Sequence, residues 1–175
     1  MANSAGTGSG ASGSSRHVIS ALVDNRPGVL ARTAGLFARR GYNIDALAVS
    51  ITEDPEVSRM TITVTGDERV LDQICKQLAK LVDVRQVIDH TGHALVEREL
   101  CLVKVKTTPE TRRDILDVVE IFRGDVLDVG NGTLIIQVTG DEQKIDAFVR
   151  IMRDYGIVEM VRTGRVVLTR GMQPT

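Results

Sequence analysis

Met60-Thr61-Ile62-Thr63-Val64-Thr65 alternates apolar and polar positions without a break, the period of a strand with one buried and one wet face. Ahead of it an apolar run, His17 to Val23, reads as a buried strand. Leu30, Ala34, Phe37 and Ala38 then recur at helical spacing, which predicts a helix over 27–40 with those residues inward. A strand over 42–51 follows, then a turn rich in Glu53, Asp54 and Pro55. Gly66-Asp67 opens a second helix, with Leu71, Ile74, Cys75, Leu78 and Leu81 along one face, and a fourth strand spans 84–88. The order is βαββαβ.

The pattern then repeats. Val64-Thr65-Gly66-Asp67-Glu68 returns as Val138-Thr139-Gly140-Asp141-Glu142, an offset of 74 residues that also carries Leu71, Ile74 and Leu78 onto Ile145, Phe148 and Met152. Upstream the offset is 83, taking Arg40-Gly41 to Arg123-Gly124. The difference falls in the hairpin, which shortens to Gly130-Asn131-Gly132 in the second half, where length change is tolerated. Ile115, Val118, Val119 and Phe122 mark the inner face of the third helix. The fold class is therefore α+β, two tandem ferredoxin-like βαββαβ domains, each an antiparallel four-stranded sheet with both helices on one face. The expected division is a disordered tail over 1–15, a first domain over 16–94 and a second over 95–175. Each sheet is expected to keep two edges and one uncovered face, which invites pairing with another copy.

Composition changes this picture little. The 175 residues are 42% hydrophobic and 26% charged, an ordinary globular balance, but only 3% aromatic and without Trp, so the cores must be aliphatic. The net charge of −1 argues against nucleic acid or an anionic membrane as the main partner. Two cysteines make no disulfide framework, and no secretory or membrane-spanning run stands out, so a cytoplasmic protein is expected. Residues 1–15 contain only Met, Ala, Asn, Ser, Gly and Thr, without an apolar period.

Catalytic chemistry is hard to find. His90 and His93 have no partnering cysteine pair, so no metal site is expected. Cys75 and Cys101 sit on apolar faces and read as small core residues. The central strands lack the aromatic rings on which a ferredoxin-like sheet stacks RNA bases. Asp67, Glu68, Asp72, Asp141 and Glu142 read as solvated charge on outer helix faces. One stretch differs: Asp24-Asn25-Arg26-Pro27-Gly28-Val29-Leu30, a strand-to-helix turn with Pro27 suited to the first helical turn and a bare Gly28. A helix N-terminus with no side chain over it presents free N–H groups to a carboxylate or phosphate, and Asn25 and Asn43 can add polar contacts. The equivalent turn, Thr107-Thr108-Pro109-Glu110, lacks the glycine and carries an acid, Glu110, expected to fill that helix dipole.

These residues resemble a known family. A βαββαβ unit carrying Asp24-Asn25-Arg26-Pro27-Gly28-Val29-Leu30 looks like an ACT domain, a small-molecule sensor that often binds amino acids between paired copies. Leu36-Phe37-Ala38-Arg39-Arg40-Gly41-Tyr42-Asn43-Ile44, Ser58-Arg59-Met60-Thr61, Val96-Glu97-Arg98-Glu99, Ile121-Phe122-Arg123-Gly124 and Arg162-Thr163-Gly164 resemble, more narrowly, the regulatory (small) subunits of acetolactate synthase. The resemblance implies that the first domain is an ACT domain and that the chain is non-catalytic, with no cofactor of its own. It implies a partner, the catalytic (large) subunit, carrying thiamine diphosphate, magnesium and FAD and condensing two pyruvates, or pyruvate and 2-oxobutyrate, in branched-chain amino-acid synthesis. It also implies activation of that subunit, feedback inhibition by a branched-chain amino acid, usually valine, and a homodimer with the effector between two ACT domains. Asn25, Gly28, Val29 and Leu30 would hold the effector from one chain, and Asn43 with Ile44 from the other. A free-standing amino-acid sensor or a transcriptional co-regulator is the alternative, which co-purification with a thiamine-dependent subunit separates.

Overall fold

The computed structural model describes residues 15–172, so the disordered tail expected over 1–15 lies outside the described residues except at its last position. Ser15 is not tail: it opens β1 (Ser15–Asp24). There follow α1 (Val29–Arg40), β2 (Ala46–Ile51), β3 (Val57–Gly66), α2 (Glu68–Leu78) and β4 (Val84–Asp89). The four strands form an antiparallel sheet in the order β2-β3-β1-β4. The second unit runs through β5 (Leu95–Lys106), α3 (Arg112–Ile121), β6 (Asp125–Gly130), β7 (Thr133–Gly140), α4 (Glu142–Tyr155) and β8 (Ile157–Arg162), with sheet order β6-β7-β5-β8. This is the tandem ferredoxin-like α+β arrangement expected from the repeat.

Each unit has its own core. Ile19, Ala21 and Val23 of β1 and Met60, Ile62 and Val64 of β3 close on Phe37, Leu71, Ile74 and Leu78 of the helices. In the second unit Val103, Val105, Leu134, Ile136 and Val138 close on Ile115, Ile145, Phe148 and Met152. The only close ring contacts among the described residues are Phe37 with Tyr42 and Phe122 with Phe148, one edge-on pair per core. Cys101 is fully buried and Cys75 partly buried beside the cores, and burial pushes both thiols up, Cys75 to about 11.

Four expectations are corrected. Helix α1 starts at Val29, so Pro27 precedes the helix instead of opening it. Its buried face is Val29, Thr33, Leu36 and Phe37, while Leu30, Ala34 and Ala38 are exposed. Thr33 is buried on this face, and its hydroxyl is buried with it without a hydrogen-bond partner. Residues 42–45 are loop, because Gly41 ends α1 in the left-handed region at φ 69° and the chain joins the sheet only at Ala46.

The fourth correction concerns the open faces. A strand absent from the expected order, β9 (Val166–Thr169), returns to pair antiparallel with the first residues of β5, Leu95↔Thr169 to Arg98↔Val166. This ribbon crosses the first sheet on the side away from its helices. Ser20, Thr61 and Thr63 on that side are buried, and Val167 is 3% exposed. A groove of about 300 Å³ remains between Ala48, Ser50 and Thr61 of the sheet and Val96, Val166 and Leu168 of the ribbon. The face of the first sheet away from its helices is therefore partly covered by this ribbon. The outer face of the second sheet keeps a shallow groove lined by Leu102, Ile135 and Val161.

Candidate functional site

Gly28 is the N-cap of α1 at φ 88°, a backbone state that side chains disfavour, so glycine is required by conformation and not only by bareness. No side chain caps this helix, and its first turn holds no acid. Helices α2 and α4 are capped by side chains, and α3, which like α1 has no side-chain cap, carries an acid in its first turn. Asp67 accepts from the Val70 amide and Glu68 follows it; Asp141 accepts from the Lys144 amide and Glu142 follows it. Asp67 and Asp141 are exposed, as expected of solvated charge, and each also caps its helix. Helix α3 begins after Glu110, because Thr108 and Thr111 exchange hydroxyl–amide hydrogen bonds (2.9 and 3.3 Å) and delay its start. Glu110 therefore does not sit in the first turn. The Thr108 hydroxyl and its own amide hold its carboxyl below the usual range, and Asp114 supplies the first-turn acid.

The turn around Gly28 is pinned from several sides. The Asn25 amide donates to the Pro55 carbonyl (2.8 Å) and its oxygen accepts from the Ser58 hydroxyl (3.2 Å), tying the β1–α1 corner to the β2–β3 hairpin. One N–H and one lone pair of that side chain remain for a ligand. Asp24 accepts from Arg85 (2.7 Å), which holds its carboxyl below the usual range. Arg32, one turn into α1, pairs with Asp83 (2.7 Å) and lays a guanidinium nitrogen 3.0 Å from where a Gly28 side chain would begin. An uncapped helix end with a guanidinium beside it is a combination suited to an anion. Sequence reading missed Arg32, and its signal was the i+4 spacing from Gly28.

The sequence-predicted residues fall into two groups. Asn25, Gly28, Val29 and Leu30 lie at the start of α1, with Val29 buried and Leu30 47% exposed. Asn43 and Ile44 lie beyond its other end. A helix of 12 residues is about 18 Å long, so one chain does not bring both groups to one small ligand. Asn43 is exposed and donates to Asp45 (3.0 Å), which also accepts from Thr65 (2.6 Å).

A second polar region went unread in the sequence. Between the units lies a cleft of about 420 Å³ lined by Arg16, Asp45, Glu99, Glu142, Arg162 and Arg165, among others. Glu142, expected as solvated charge, pairs with both Arg16 and Arg165 there. Glu99 is buried and accepts two bonds from Arg162 (2.5 and 3.0 Å). Among the described residues, no group of three or more His, Cys, Asp or Glu side chains is placed to hold a metal, and no helix is long and apolar enough to cross a membrane. His90 is buried and bonds Ser20 (2.8 Å).

Comparison with known proteins agrees with this architecture. Residues 19–86 match the AHAS small subunit-like ACT domain, and residues 98–171 match the small subunit of acetolactate synthase. A protein of Archaeoglobus fulgidus described as a "probable acetolactate synthase small subunit" is 51% identical over 156 residues, 89% of this chain and 98% of that one. The acetolactate synthase small subunit of Aquifex aeolicus is 49% identical over 90% of this chain and 82% of its own length. Among solved structures, the acetolactate synthase small subunit of Thermotoga maritima superposes with a TM-score of 0.83 at 40% identity, covering 91% of this chain and 99% of that one.

Proposed function

This chain belongs to the family of acetolactate synthase small subunits, a non-catalytic regulatory subunit for a catalytic large subunit, and from that premise we propose that it raises the large subunit's activity and makes it sensitive to a branched-chain amino acid, valine first. The observation that carries the effector site is the open end of α1: alone among the described helices it has neither a capping side chain nor a first-turn acid. The effector carboxylate meets the amides at Gly28 with Arg32 beside them, and the remaining lone pair on Asn25 accepts from its ammonium. Asn43 and Ile44 complete the pocket from a second copy, because the length of α1 keeps them from completing it within one chain.

The exposed stripe Leu30, Ala34 and Ala38 and the exposed Val49 and Ile51 of edge strand β2 support a homodimer formed by the first domains. On this reading thiamine diphosphate, magnesium and FAD belong to the catalytic subunit, the pathway is valine, leucine and isoleucine synthesis, and the setting is cytoplasmic. Titrating the purified chain with valine, leucine and isoleucine by calorimetry, then the reconstituted enzyme with the same amino acids, tests the reading. Valine binding that is matched by inhibition is expected. No heat with any of the three removes the effector role.

A further inference from the structure

The ion pairs in the cleft between the units form one continuous chain. Asn43 donates to Asp45 Oδ1 (3.0 Å), and Asp45 Oδ2 faces Arg16 of β1 (4.0 Å). Arg16 crosses to Glu142, the first residue of α4, and Glu142 holds Arg165. Arg165 reaches Glu97 (3.4 Å) and Glu99 (3.6 Å), and Glu99 holds Arg162, which also grips Asp146 of α4 (2.6 Å). The side chain of Arg165 is 11% exposed and that of Glu99 is 6% exposed, so this part of the chain is shielded from salt, unlike an ordinary surface pair. Beside it the backbone of Gly164, at φ 79°, comes so close that a side chain there would begin 3.3 Å from Ala46 Cβ. The residue that follows Asp45 is thus packed directly against the second unit.

We propose that this chain of ion pairs carries the state of the Asn43 loop into the second domain. The inference deepens the effector reading and rests on it for its physiological input. A ligand that recruits the Asn43 amide competes with Asp45 for it, and Asp45 has its other oxygen on Thr65 and Arg16. Freed or tightened, Asp45 changes the grip of Arg16 on Glu142. Glu142 sits at the positive end of α4 and shares Arg165 with the ribbon strand β5. Every linking member, Asp45, Arg16, Glu142, Arg165, Glu99 and Arg162, has at least two partners, so a shift at one end redistributes contacts at the other instead of dying out locally.

The test is a double-mutant cycle read by amide hydrogen exchange on the full chain, with no effector present. Asn43→Ala removes the input, and Glu142→Gln breaks the crossing while leaving the Asp141 cap intact. In the parent background, Asn43→Ala is expected to change exchange across residues 142–146 and 162–165 by about twofold to tenfold, the range of couplings within one network. With Glu142→Gln already present, it should change nothing further there. The β7 core amides, such as Ile136, report global destabilisation and should not move. An effect confined to the first domain, or one of equal size in both backgrounds, overturns the proposal. Valine calorimetry on the parent is scored separately: no binding there removes the effector site while the cycle still decides the ion-pair chain.

Discussion

Gly28 holds two properties at once, a positive φ and an uncovered helix end, and two substitutions separate them. Gly28→Ala adds the strain of a left-handed side chain, roughly 1 to 2 kcal/mol, with no charge. Its Cβ meets only the flexible end of Arg32. The unfolding midpoint should fall by about 2 to 8 °C, with valine inhibition retained. Gly28→Asp adds a carboxylate facing that of the effector. At about 4 Å the repulsion is roughly 1 to 4 kcal/mol between fully wet and protein-surface conditions, a loss of about fivefold to a thousandfold in affinity. The fold tolerates the change, because aspartate is among the side chains that visit this backbone region. Inhibition at an unchanged valine concentration would remove the effector from this point. His90 gives a different prediction. Burial, then the neighbouring His93, lower its pKa, with Asp89 opposing and Arg59 adding to the shift. Its Nδ1 has no partner, so the folded chain favours the neutral ring. A pKa lower folded than unfolded means that the unfolded chain binds the extra proton, so stability is complete above about pH 6.5 and declines below it. Midpoints at pH 7.5 and 5.5 should differ less for His90→Gln than for the parent, and an equal difference would assign the acid sensitivity elsewhere.

Among the elements, β9 contributes out of proportion to its four residues. Val167 is buried against the first sheet, and Val167→Ala removes two methyl groups from that contact, a cost of about 1 to 3 kcal/mol measurable by denaturant titration. Strand β2 is the opposite case, an edge with Ile51 61% exposed. Ile51→Lys should convert the proposed dimer to a monomer by light scattering while leaving the helix content unchanged. Strands β3 and β7 were legible in the sequence because each has one apolar core face, and the repeat located both helices of the second unit. The inward stripe of α1 differs from the expected one because alanines mark neither face while Thr33, a polar residue type, is buried. Strand β9 was missed because it has no counterpart in the first repeat and its run of Val166, Val167 and Leu168 lacks a period. The open end of α1 was legible through Pro27-Gly28, but the glycine's conformational role and the presence of Arg32 depend on φ and on three-dimensional approach. The ion-pair cleft was illegible, since Arg16, Glu142 and Arg165 are distant in sequence and each looks like surface charge.

At the scale of the whole molecule, two separate cores are joined by a polar cleft and by a strand that serves both units: Leu95–Arg98 of β5 pair with β9 over the first sheet, and the following residues pair within the second. Glu99 is buried at the junction, so Glu99→Gln leaves Arg162 and Arg165 without their shared carboxylate. Scanning calorimetry should show one transition for the parent and two for that variant, while a single transition in both would mean that the domains are held by β5 and β9 instead. The shared strand also bears on where the gene can be cut. A fragment ending at Ala94 would carry every residue proposed to touch the effector, yet Ser20, Thr61 and Thr63 would lose the ribbon that shields them. Fragment and whole chain should therefore differ in solubility before they differ in affinity, and a screening reagent made from the first half would behave better with residues 95–98 and 166–169 stitched back on.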